Sequence, residues 1–82
     1  MKVRVFVTPK KGVLDPQGVV LETGLRQLGF AGADQVRVGK VIDLVVHTDD
    51  RDDASARVHA MCKTFLTNPV IEDYTFTLDE AP

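Results

Sequence analysis

Cysteine is nearly absent. Cys62 is the only one in 82 residues, so no internal disulfide can form and the chain suits a reducing compartment. Positive charge is not in excess, since ten Lys and Arg stand against twelve Asp and Glu, for a formal net charge of −2. No basic stripe with interleaved aromatics occurs, which argues against nucleic-acid binding. No stretch approaches the roughly 20 apolar residues of a membrane span. The opening residues, MKVRVFVTPKKG, alternate charged and apolar side chains and lack the apolar run of a signal peptide. Repeats, low-complexity segments and linkers are missing too. These absences lead to the expectation of a soluble, cytoplasmic protein.

What is present describes a small folded unit. The apolar share of 44% and the charged share of 27% are ordinary for a globular domain and too apolar for disorder. The length allows one domain, residues 1–82, with no room for a second core. A chain of this size buries about 60–65% of its unfolded surface, so oligomerisation is an expected source of stability.

The chain divides into six predicted elements. KVRVFVT (2–8) alternates strictly, with Val3, Val5 and Val7 on one face and Lys2, Arg4 and Phe6 on the other, and Thr8-Pro9 ends the strand. Asp15-Pro16 reads as a helix N-cap followed by the first helical position. Leu21, Gly24, Leu25 and Leu28 then build an apolar stripe, with Gly24 allowing close approach of another backbone. Gly29 and Phe30 form a Schellman stop in which Phe30 packs on Leu25. QVRVGKVIDLVVH predicts a β-hairpin turning at Gly39-Lys40, or one long strand with a glycine bulge. A second helix follows, capped by Asp52 or Asp53, with Val58, Met61, Cys62 and Phe65 facing the core and Asn68-Pro69 as its stop. VIEDYTFTL alternates, placing Val70, Tyr74, Phe76 and Leu78 on one face, and DEAP is a frayed tail.

The order β-α-β-β-α-β predicts an α+β fold: a four-stranded antiparallel sheet with both helices on one face, ferredoxin-like or a close relative, and oligomeric.

Candidate chemistry is sparse. KKGVLDPQG (10–18) holds Lys10, Lys11 and two glycines, but Val19 stands where a phosphate-binding Walker loop needs lysine. The expected role of this stretch is a solvated loop plus a helix start. His59 and Cys62 are spaced for half a zinc site, yet further ligands are missing and the thiol belongs to the apolar stripe. The same burial argues against a Cys-His nucleophile. Asp49, Asp50, Asp52 and Asp53 lack the pattern of a calcium loop and suit a helix cap. Glu72 and Asp73 point to opposite faces of a strand, so they do not form a facing acid–base pair. No nucleophile, base and oxyanion donor occur together, so catalytic, cofactor and metal residues are all expected to be none.

Three stretches carry a resemblance that spans nearly the whole chain. KGVLDPQG (11–18), VRVGK (36–40) and NPVIEDYTF (68–76) resemble the PurS family, the small subunits of multi-subunit phosphoribosylformylglycinamidine (FGAM) synthase. Val41 and Thr67 depart from the family pattern, and DEAP lies outside it. The resemblance implies a non-catalytic subunit that brings together a glutaminase subunit (PurQ) and a synthetase subunit (PurL). The assembled enzyme would convert formylglycinamide ribonucleotide (FGAR) to FGAM in purine biosynthesis. It implies a homodimer or homotetramer, with ATP, Mg and glutamine used by the complex and none bound by this chain. Within the resembling stretches, Lys11, Leu14, Asp15, Gln17, Arg37, Lys40, Asn68 and Tyr74 are the candidate partner contacts. They lie at loops, turns and strand ends, where core packing explains least. The competing readings are a small-molecule-sensing ferredoxin-like regulatory domain and a stand-alone Cys-dependent transferase. Fold analogy alone does not separate the three.

Overall fold

The computed structural model describes residues 1–79; most of the DEAP tail therefore lies outside the described residues. The elements are β1 (Lys2–Pro9), α1 (Pro16–Gln27), β2 (Lys40–Val45), α2 (Arg51–Met61), a π-helical turn (Cys62–Leu66) and β3 (Glu72–Asp79). Strand β1 is central in a three-stranded sheet of order β2-β1-β3, and both pairings are antiparallel. Its alternation works as read, because Val3, Val5 and Val7 are buried while Lys2, Arg4 and Phe6 face outward.

Helix α2 covers the valine face. Ala54, Val58 and Cys62, spaced four residues apart, are fully buried, and Ile42, Leu44, Tyr74, Phe76 and Leu78 pack around the core from the outer strands. Asp50, not Asp52 or Asp53, caps this helix: its carboxylate accepts the amides of Asp52 at 2.9 Å and Asp53 at 3.4 Å. The two expected caps instead supply negative charge in the first turn, beside the positive end of the helix dipole.

The sequence period then breaks at Cys62. The Cys62 carbonyl accepts both the Thr67 amide at 3.1 Å and the Thr67 hydroxyl at 2.7 Å, which closes a turn one residue wider than an α-helical one. That extra residue moves Leu66 and Thr67 inward and leaves Phe65, expected in the core, 86% exposed. Val70 also leaves its expected face. It sits exposed in a turn built by Asn68, whose side chain accepts the Val70 amide and whose carbonyl accepts the amides of Ile71 and Glu72. Strand β3 starts only at Glu72 and runs on through Asp79, so the first tail residue is strand.

Two larger expectations are overturned. The hairpin around Gly39-Lys40 does not form, nor does the long strand, so among the described residues the sheet has three strands and not four. Residues 34–39 run irregularly along α1, because acidic groups there take the amides that a strand would have used. Asp15 Oδ2 accepts the Val38 amide at 2.6 Å, and Glu22 Oε1 accepts the Gln35 amide at 2.8 Å. Gln35 itself has a φ of +53°.

The second correction concerns α1, which is not packed on the sheet beside α2. Its start, at Asp15-Pro16, and its Schellman stop are where the sequence places them: the Phe30 amide reaches the Leu25 carbonyl and the Gly29 amide reaches Arg26. Its stripe, however, does not reach the core. Leu21 is half-exposed, Leu28 is 76% exposed, and Gly18 is the helix's buried residue. The consequence is an elongated molecule of 49 × 28 × 14 Å with a radius of gyration of 16.2 Å. A compact chain of this length would have about 12 Å.

Candidate functional site

Residues 10–39 form an arm that leaves the sheet at the end of β1 and returns at the start of β2. Its two limbs are stitched together. The first limb contributes the Asp15 and Glu22 carboxylates to amides of the second. The second contributes the Arg37 guanidinium, which donates to the carbonyls of Lys10 at 2.7 Å, Pro9 at 3.4 Å and Val13 at 3.5 Å.

Close approach is possible because Gly18 has no side chain: a Cβ there would overlap the Val36 carbonyl oxygen. Gly24, given this role from the sequence, has open space where its Cβ would be. The Val38 amide holds the Asp15 carboxyl below the usual carboxylate range, against the opposing effect of burial. The first-turn amides of Gly18 and Gln17 and the Arg37 charge add smaller contributions. The Asp15 side chain makes no hydrogen bond as a helix cap; it is spent on Val38 instead.

The eight candidate contact residues can now be placed. Lys11, Leu14, Asp15 and Arg37 line one open hollow of about 620 Å³ at the base of α1. Gln17 is exposed in the first turn of that helix. Lys40 and Tyr74 both pair with Val7, one on each side of β1, so they share a row across the sheet at the end from which the arm departs. Asn68 shapes the turn just before β3, and the Ile71 carbonyl in that turn accepts the Lys10 amide at 2.9 Å. Tyr74 is half-buried, with its hydroxyl 2.8 Å from His59 Nδ1.

Sequence reasoning missed most of the apolar part of this surface. Beside the candidate contact Leu14 (76% exposed), Val20 (70% exposed), Val19, Leu21, Leu28 and Phe30 all lie open along the arm. Leu21 and Leu28 were legible as an apolar helical stripe, but periodicity assigned that stripe to the core. Contiguous exposed apolar surface of this kind marks interaction sites. The outward sheet face adds Phe6, Val41 and Val45 around a two-pronged Arg4–Asp43 ion pair at 2.8 and 3.2 Å.

The titratable groups are dispersed. His59 meets the Tyr74 and Phe76 rings, while burial pushes the Cys62 thiol up. That is the inert buried cysteine its place in the helix predicted. Among the described residues, no three His, Cys, Asp or Glu side chains gather closely enough to hold a metal ion. No described helix is long and apolar enough to cross a membrane.

A single-layer sheet with one covering helix and a projecting apolar arm defines a small α+β domain of the kind that presents surface to other chains. The comparisons make the class specific. The profile of PurS, phosphoribosylformylglycinamidine (FGAM) synthase, matches residues 2–80, and the chain belongs to this family. It is 44% identical over 75 residues to the phosphoribosylformylglycinamidine synthase subunit PurS of Synechocystis, covering 92% of this chain and 75% of that protein. The crystal structure of Bacillus subtilis PurS superimposes with a TM-score of 0.86 at 39% identity, over 96% of this chain and 98% of that one. A chain in the structure of PurLQS from Thermotoga maritima superimposes with a TM-score of 0.83 at 32% identity, over 93% of each.

Proposed function

We propose that this chain is the assembly subunit of a multi-subunit FGAM synthase. It brings a PurQ-type glutaminase and a PurL-type, ATP-dependent synthetase together for conversion of FGAR to FGAM in purine biosynthesis. The observation that carries the reading is the match, over nearly the full length, to a chain of Thermotoga maritima PurLQS. The exposed apolar arm, with Lys11, Leu14 and Gln17 at its base, supports a docking role. Asp15, Arg37, Lys40, Asn68 and Tyr74 complete the proposed contact set around the same end of the sheet.

On this reading the chain acts as one domain in the cytoplasm and does no chemistry of its own. ATP, Mg and glutamine are used by the complex and held by the partner subunits. A homodimer or homotetramer fits the same features, because β2 and β3 are both edge strands of a three-stranded sheet and bare edges favour pairing.

Reconstitution tests this. The purified chain is mixed with the glutaminase and synthetase subunits from its own source, with glutamine, ATP, Mg and FGAR. Glutamine-dependent FGAM formation that requires this chain is the expected result. Equal turnover in its absence overturns the proposal.

A further inference from the structure

We infer that Arg37 is a brace that fixes the angle between the arm and the sheet. The arm is joined to the sheet by two neighbouring chain crossings, at Pro9 and at Lys40, and β2 begins with Lys40 paired to Val7. Helix α1 adds no packing layer against the sheet. Two adjacent crossings alone act as a hinge, so something else must set the arm's direction. The Arg37 side chain rises from the returning limb and donates to Pro9, Lys10 and Val13 on the departing one, which includes the last carbonyl of β1. Lys10 is in turn tied to the turn before β3 through its amide to the Ile71 carbonyl, and to β3 itself through its ammonium to Asp73 at 3.6 Å.

The fastening is reciprocal, because Asp15 on the departing limb accepts the Val38 amide from the returning one. Gly39 lets the returning limb close on β1, since a Cβ there would fall 2.5 Å from the Val7 carbonyl oxygen. A planar guanidinium with five donors can reach three carbonyls at once; a lysine ammonium on a flexible stem cannot hold the same geometry. Arg37 is thus a positioning residue for the surface the arm presents, whichever chain docks there.

Residue-resolved amide hydrogen exchange on the intact chain tests the brace, comparing wild type with R37A and R37K. In R37A, exchange at Val13 and Val38 is expected to rise by about tenfold, the scale of losing a hydrogen bond from a charged donor. Val3, Val5 and Val7 should keep their rates. R37K is expected to lie nearer R37A than wild type, and it carries the test alone if R37A does not fold. Unchanged exchange at Val13 and Val38 overturns the inference. An equal rise through β1 does so too, because it would make Arg37 a general stabiliser and not a brace.

Discussion

Gly18 and the Val36 carbonyl lie back to back, with the first turn of α1 pressed onto the segment that returns from it. A Cβ on Gly18 would overlap the Val36 oxygen and come within 2.9 Å of Asp15 Oδ2. Backbone on backbone leaves nothing flexible to move aside. Gly24, two turns along the same helix, meets no such neighbour.

The two glycines should therefore respond to alanine with opposite signs. G18A is expected to destabilise by about 1–3 kcal/mol, the usual range for forcing extra volume into a filled site. G24A is expected to stabilise by about 0.5–1 kcal/mol, through helix propensity and a less flexible unfolded chain. Urea denaturation at fixed protomer concentration measures both as midpoint shifts. A loss of stability in G24A equal to that in G18A would show that the limbs do not touch where we place them.

The π turn makes a second contrast. Val58 is fully buried under the sheet, whereas Phe65, seven residues on, is 86% exposed. V58A should cost about 2 kcal/mol, for two buried methyl groups and the cavity they leave. F65A should stay within about 0.5 kcal/mol of wild type in the isolated chain. Thermal and urea unfolding check this, and a large cost for F65A would restore the unbroken helical period.

Acid should loosen the arm through Asp15. Its folded-state carboxyl titrates below the ordinary carboxylate value, chiefly because it accepts the Val38 amide. The unfolded state binds its proton first as pH falls, so this contribution is complete above the ordinary carboxylate range and fades as pH drops through the lowered folded value. The stability difference between wild type and D15N should be constant near neutral pH and shrink in acid. A difference that does not change with pH would remove Asp15 from the stitching.

Local rules were legible where the chain decides locally. The alternation of β1, the Asp15-Pro16 start, the Schellman stop at Gly29 and the Asn68-Pro69 stop all depend on neighbours in sequence. Burial of Val58 and Cys62 followed from helical spacing. The family resemblance in residues 11–18, 36–40 and 68–76 likewise sat in the sequence before any fold was known, and the match over residues 2–80 carries it across the chain.

The rest depended on partners far away in the chain. Val36 and Val38 alternate as a strand would, but Glu22 and Asp15, 13 and 23 residues earlier, take the amides of Gln35 and Val38. The stripe of α1 has core periodicity, yet periodicity cannot say which surface will cover it, and within this chain the sheet does not. Phe65 lost its place to one extra residue in a turn closed by Thr67. Sequence alone determined that β1, both helices and most of β3 are regular, and which family the chain belongs to, because hydrogen bonding within a helix and alternation along a strand are near-neighbour effects. Tertiary structure alone decided that α1 stands off the sheet with its apolar face open, because only competition from distant carboxylates such as Asp15 and Glu22 settles which amides remain for a fourth strand.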